Sequence, residues 1–276
     1  MSVLSEHYTL SNGVSIPKLG FGTWQTPNEV APEAVRTALS IGYRHIDTAR
    51  AYENEEGVGE GLRTSGIPRD EVFITSKVRA EFKTYEQAKA SIETSLSELK
   101  TGTIDLLLIH APKPWPEMFT DTPNRYFEEN VAVWRALEEA YQRGDVRAIG
   151  VSNFAIDDID NLTKHCEVVP MANQIRFHVG HTQDELVAYC HSRGILIEAY
   201  SPIGTGRLLH VPEIEAMAMK YDRSVAQICI RYDLQKHCLP LPKSVHERYI
   251  KENTEVDFEI SAEDMALLDD VAEPAR

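Results

Sequence analysis

In "RHIDTARAYENEEGVG", residues 44–59, an aspartate (Asp47) and a tyrosine (Tyr52) stand five positions apart, directly after an apolar run. Further along, Lys77 follows "ITS" and His110 follows "LLLI". A carboxylate, a phenol, an ammonium and an imidazole brought together can pass a proton to or from a reacting oxygen. Taken singly, each has an ordinary reading: the histidine as a core residue, the lysine as a loop charge. The conjunction is more informative, because a buried cluster of such groups costs free energy unless its members are paired. Whether they meet depends on the elements that carry them.

Short runs rich in β-branched residues alternate with longer amphipathic stretches, the pattern of repeated strand-helix units in a parallel sheet. Strands are expected near Leu19 ("LGFGT"), near Ile46 ("YRHIDT"), over Val72–Val78, over Ile104–Ala111 and over Val146–Asn153. Three more are expected near Gln174 ("MANQIRF"), over Ile195–Ser201 and over Cys238–Ser244. In "TYEQAKASIETSLSELK" the apolar Ala88, Ile92, Leu96 and Leu99 recur at helical spacing. "FEENVAVWRALEEAYQRG" is a second helix, stopped by Gly144. Ahead of these units, Asn12-Gly13 between two alternating runs predicts a small hairpin with a two-residue turn.

Eight strand-helix units predict a closed (β/α)8 barrel, one domain over residues 1–276, with an N-terminal β-hairpin. In such a barrel the active site lies at the C-terminal ends of the strands. Those ends carry Asp47 with Tyr52 in its loop, Lys77, His110, Ser152-Asn153, Gln174, Tyr200-Ser201 and Lys243-Ser244. The only long loop is "APKPWPEMFTDTPNR", residues 111–125.

A chain of 276 residues, 42% hydrophobic, can bury a large core. Its net charge of −15 opposes sequence-independent nucleic-acid binding, which needs a basic surface. Cys166, Cys190, Cys229 and Cys238 form no CxxC pair and read as core thiols of a reducing compartment. There is no basic-then-apolar leader and no long apolar span, so a cytoplasmic protein without membrane contact is expected. No exposed apolar helix face stands out, and a monomer is the expectation.

"HIDTARAYENEEGVG", "ITSKV", "LLLIHAP", "GVSNF", "AYSPIG" and "LPKSV" together resemble the aldo-keto reductases, in this order and over nearly the whole chain. Size and short C-terminal tail are most similar to the bacterial 2,5-diketo-gluconate reductase-like branch. The resemblance implies a nicotinamide cofactor bound without a Rossmann fold and reversible reduction of small carbonyl compounds: aldehydes, ketones or keto-sugars. It implies Tyr52 as the proton donor, Lys77 as the ammonium that favours the phenolate, Asp47 as the anchor of Lys77, and His110 as the group that orients the substrate oxygen. For the cofactor it implies contacts from Gly22, Thr23, Trp24 and Asp47, from Ser152, Asn153 and Gln174, and from Tyr200 as the stacking ring. It adds the loop Ser201, Pro202, Ile203 and Gly204, and then Lys243, Ser244, Val245, Arg248, Tyr249 and Asn253. Trp24, Tyr52, His110, Ala111 and Trp115 are the implied substrate walls.

Three positions depart from the family pattern. Where an arginine usually meets the 2′-phosphate of NADPH, six residues after Lys243, this chain has Tyr249, with Arg248 one place earlier. On a helix that step rotates a side chain by ~100°. NADPH is expected because Lys243, Ser244 and Arg248 remain, with NADH the alternative. Ala111 replaces the tryptophan that commonly follows the histidine, which enlarges the pocket unless Trp115 or Phe119 folds back to refill it. Arg176-Phe177 replaces a frequent Glu-Tyr pair, with no functional account.

Two look-alikes carry less. "EEGVGEGL" lacks the third glycine of a dinucleotide fingerprint, so Gly57, Gly59 and Gly61 read as helix packing sites. His178, His181 and Asp184 in "HVGHTQDE" read as loop residues, and no metal is expected. The alternatives to a reductase are a Schiff-base lyase using Lys77 and a cofactor-sensing regulatory barrel with little turnover.

Overall fold

The computed structural model describes residues 2–120 and 122–274. Eight strands, all parallel, follow one another around a sheet in chain order: β3 (Phe21–Gly22), β4 (His45–Asp47), β5 (Phe73–Val78), β6 (Leu106–Ile109), β7 (Ile149–Ser152), β8 (Ala172–Arg176), β9 (Leu196–Tyr200) and β10 (Leu239–Leu241). Every residue of β5, β6 and β7 is buried, as expected for strands covered on the outside by helices and filled inside by their own side chains. Closure is made by backbone: Gly20 and Gly22 donate to Pro240 O (3.1 Å) and Pro242 O (2.9 Å). A Cβ at Gly20 would overlap Leu241 and His45, so the seam closes because these positions carry no side chain. The seam strands are shorter than the sequence predicts, because Pro240 and Pro242 supply no N–H to prolong the ladder.

The hairpin pairs β1 (His7–Thr9) with β2 (Ser15–Pro17). Its tip departs from the expected two-residue turn. The strands stop at Thr9 and Ser15, Leu10 closes on Val14, and of the Asn12-Gly13 pair only Gly13 takes a positive φ. Asn12 instead donates its amide to Arg147 O (2.9 Å), and Tyr8 reaches Cys238 O. Both acceptors precede barrel strands, so the hairpin covers the end of the barrel opposite the strand C-termini.

Helices fill the connections as expected in kind. The helix Tyr85–Leu99 is capped by Thr84 and buries Ala88, Ser91, Ile92, Ser95 and Leu99; Phe127–Arg143 stops at Gly144, whose φ is 81°. Gly57, Gly59 and Gly61 are packing sites: a Cβ at Gly59 would overlap the carbonyl of Leu99, and one at Gly61 would stand 2.8 Å from Pro32 O. The long loop contains a short helix, Trp115–Met118. All four cysteines are free thiols, three of them buried. Among the described residues no helix is long and apolar enough to cross a membrane.

Candidate active site

The four groups singled out at the strand ends meet. Lys77, fully buried near the end of β5, directs its ammonium at Asp47 Oδ1 (2.7 Å), Thr48 O (2.7 Å) and the Tyr52 hydroxyl (3.4 Å). His110, one residue past β6, lies edge-on to the Tyr52 ring at 5.5 Å. Strand register explains the meeting: Asp47 pairs with Thr75, two residues before Lys77, and Lys77 with Leu108, two before His110, so all three project from the same face of the sheet.

Tyr52 sits on a single 3-10 turn, Arg50–Tyr52, and needs outside support. Arg50 supplies it by pairing with Glu98 (2.5 Å) and buried Glu55 (3.4 Å). Asn54, fully buried, donates to the carbonyls of Thr23 and Thr26 and accepts from Thr48 Oγ1. The tyrosine loop is thereby tied to the ends of two strands.

Electrostatics modify the expectation for the phenol. Burial pushes Tyr52 up to about 12, and the Lys77 ammonium only partly offsets it, with Asp47 pushing upward as well. The expected depression below the ordinary value is therefore not found, because desolvation of a phenolate outweighs one ammonium that is already paired. Burial alone would lower Lys77, but Asp47 and then Tyr52 carry it above its ordinary value. Burial, then Lys77 and Arg79, hold His110 well below 6.5, so its imidazole is neutral near neutrality.

Around this centre stand the residues that could hold a nicotinamide dinucleotide. Ser152 Oγ donates to Gln174 O (2.8 Å), Asn153 Nδ2 to His110 O (3.1 Å), and the Tyr200 hydroxyl to Asn153 Oδ1 (2.8 Å). Asn153 and Ser201 both adopt left-handed backbone (φ 59° and 55°), a cost of roughly 1 kcal/mol or more each that clusters at functional sites. Gly22 faces Leu241 O, while Thr23 is fully buried with its hydroxyl on Asp47 O and braces the strand end. Trp24, Val245 and Tyr249 are exposed on the rim. Lys243 and Arg248 are exposed too, and neither is ion-paired among the described residues; Ser244 is half-buried and Asn253 buried. Amide-pairing side chains at the strand ends, an aromatic ring across from them and exposed cations on the rim fit a nicotinamide dinucleotide in kind.

Pro202 and Gly204 are buried, Ile203 is half-buried, and Arg207 donates to Gly204 O (3.0 Å). Glu273 ties this loop down, reaching Arg207 (3.5 Å), His181 (3.0 Å) and Arg176. Arg176 thus has a structural partner that the sequence did not reveal. His178 turns Nδ1 toward Val179 O, and among the described residues no group of His, Cys, Asp and Glu is placed to hold a metal.

Next to His110, Ala111 is fully buried. The Trp115 ring stands 5.1 Å from His110 at 88°, with Phe119 stacked on it at 6.4 Å.

Sequence reading missed Glu198 and His45. Both are fully buried inside the barrel: Gln174 Nε2 donates to Asp47 Oδ1 (2.8 Å) and Glu198 Oε2 (3.1 Å), and Glu198 lies 3.7 Å from His45 Nε2. Burial, reinforced by Asp47, pushes Glu198 up to about 8, and burial pulls His45 down to about 3. The available signal was parity. Each lies two residues before a strand-end site residue, Tyr200 or Asp47, and so on the same inward face.

The aldo/keto reductase family model matches residues 18–273. The glyoxal reductase of Bacillus subtilis (strain 168) is 44% identical over 270 residues, 96% of this chain and 92% of that protein. The 9,11-endoperoxide prostaglandin H2 reductase of Trypanosoma cruzi (strain CL Brener) is 40% identical over 97% of this chain and 92% of its own. The crystal structure of an aldo/keto reductase from Brucella melitensis superposes with a TM-score of 0.88 at 39% identity, covering 96% of this chain and 97% of that one. With fold, strand-end residues and relatives in agreement, the chain belongs to the aldo/keto reductase family and is an NAD(P)H-dependent oxidoreductase.

Proposed function

We propose that this protein reduces small aldehydes, ketones or keto-sugars with Tyr52 as the general acid. The observation that carries the reading is the Lys77 ammonium, held by Asp47 within 3.4 Å of the Tyr52 hydroxyl, with neutral His110 beside it. NADPH, when bound, supplies the hydride. Ser152, Asn153 and Gln174 would hold its carboxamide, Tyr200 would supply the ring beside the nicotinamide, and Lys243 and Arg248 would attract its 2′-phosphate. NADPH is proposed over NADH on those two exposed cations.

A phenol raised to about 12 keeps its proton at neutrality and delivers it only to a stronger base, the alkoxide formed as the carbonyl is reduced. Lys77 then stabilises the phenolate left behind, and His110 fixes the carbonyl oxygen between imidazole and phenol. The pairing that raises Lys77 counts against its use as a Schiff-base nucleophile, which must be neutral. The relative named as a reductase of glyoxal puts small dicarbonyls first among substrates to try.

The test is nicotinamide absorbance with NADPH and with NADH over an aldehyde and keto-sugar panel. Tyr52→Phe should lower turnover by roughly 10²- to 10⁴-fold while leaving cofactor binding intact. Unchanged turnover in that variant removes Tyr52 from the acid role, and a strong NADH preference reverses the cofactor order.

A further inference from the structure

Lys83 is a second buried lysine, 9% exposed, that plays no part in the proton chemistry above. Its backbone is set at the start of the helix Tyr85–Leu99, where its N–H donates to Gln87 Oε1 (3.1 Å). Its ammonium donates to Ala111 O (3.1 Å), Pro112 O (3.0 Å) and Asn130 Oδ1 (2.9 Å), so each of its three protons has an acceptor. Buried Asn130 closes the set by donating its own amide to Pro112 O (3.0 Å). Among the described residues no carboxylate is ion-paired with Lys83. Burial pulls it down to about 8, with Glu81, Glu129 and Asp158 opposing from a distance.

An ammonium without a counterion is an expensive way to fill space, and a methionine would fill the same volume at lower cost. What the ammonium does that an apolar chain cannot is fix two consecutive carbonyls. Those carbonyls belong to the segment that joins His110 to Trp115, where Ala111 leaves the wall to be built from further along. The ring of Tyr126 lies 5.6 Å from the same ammonium, and its hydroxyl donates to Glu117 (2.6 Å) in the helix that carries Trp115. Trp115 N–H reaches back to Glu81, two residues before Lys83. These ties converge on the neighbourhood of one side chain, while Asn153 holds His110 O from the other side and Lys113 Nζ reaches Thr122 O (3.3 Å) within the loop.

We infer that Lys83, with Asn130 as its relay, is a positioning residue for specificity: it holds the 111–115 segment so that Trp115 stands against His110 as the wall of the substrate pocket. The inference rests on the carbonyl-reductase reading for its substrate, and on the hydrogen bonds alone for the order of the loop. It separates size selection, set by this wall, from the reaction itself, set at Lys77.

The test compares wild type with Lys83→Met and, should that variant fold poorly, Asn130→Ala, using a small dicarbonyl and a bulky aromatic aldehyde with NADPH. KM for the bulky aldehyde should shift by roughly tenfold, the effect of one lost hydrogen bond, while KM for the small one, kcat and NADPH affinity stay within about twofold. Hydrogen exchange of the 111–118 amides, read without substrate, should speed up in the variants and not elsewhere in the barrel. Equal changes for both aldehydes together with weaker NADPH binding overturn the inference, as does a folded variant with unchanged KM and unchanged exchange. Should the wild type turn over neither aldehyde, the reaction reading fails, and the exchange result alone decides whether Lys83 holds the segment.

Discussion

Two buried lysines, Lys77 and Lys83, are held in opposite ways. Lys77 faces a carboxylate at 2.7 Å and rises above its ordinary pKa, whereas Lys83 faces only neutral oxygens and falls to about 8. The difference follows from what each environment asks of the charge. In the proposed reaction the positive charge beside Tyr52 is itself needed, and an anion must hold it against desolvation. Beside Ala111 and Pro112 what is needed is three donors in fixed directions. Charge balance is secondary there, and the group sits closer to giving up its proton.

The sharpest way to break this contrast is Lys77→Met. It leaves Asp47 buried without its cation, a loss of about 3–5 kcal/mol in stability, alongside a fall in turnover of roughly 10²-fold or more. Denaturant unfolding and steady-state rates check both. Adding Asp47→Asn should restore much of the stability and none of the turnover; recovery of turnover would detach the pair from the chemistry.

Glu198 and His45 extend the contrast to groups that burial keeps neutral. Glu198, raised from 4.5 to about 8, contributes stability that is present below pH 4.5 and lost as pH rises through 8. His45, lowered from 6.5 to about 3, contributes stability that is present above 6.5 and lost as pH falls through 3. Between pH 4.5 and 6.5 the two slopes cancel. From 6.5 to 8 the wild type should lose up to about 1.4 kcal/mol per pH unit from this pair. Glu198→Gln should be flat in that window and gain stability with pH below it. Parallel wild-type and variant profiles, read by unfolding at each pH, would mean that the carboxyl is already ionised.

Lys83→Met should cost about 1–3 kcal/mol, since Ala111 O, Pro112 O and Asn130 Oδ1 each lose a donor while an unpaired charge is removed. A cost as large as that of Lys77→Met would erase the distinction between the two lysines. Arg248→Ala, at the exposed extreme, should change stability by less than about 0.5 kcal/mol and weaken NADPH but not NADH binding by a few-fold, the effect fading at high salt. Equal weakening of both cofactors would place the phosphate elsewhere.

Much of this site was legible beforehand. The sequence placed Asp47, Lys77, His110, Ser152, Gln174 and Tyr200 at strand ends because apolar runs of parallel strands have recognisable limits, and residues beyond those limits share one end of a barrel. The same reasoning stopped short of Glu198 and His45, since it followed only the strand ends and not the inward face two residues back. It found no role for Lys83, whose acceptors include Asn130, 47 residues away. Arg176 was opaque for the same reason, its partner Glu273 lying at the far end of the chain.

By itself, then, the sequence determined the order of eight strand-helix units, the face on which the polar strand ends gather, and the reaction type those residues resemble, because periodicity and strand limits are local. Only the tertiary structure decided that Trp115 stands against His110, that Gln174 bridges Glu198 and Asp47, the latter 127 residues before it, and that the Tyr52 phenol stands above its ordinary pKa. Those outcomes depend on desolvation and on contacts between distant segments. Neither is present until the barrel has closed.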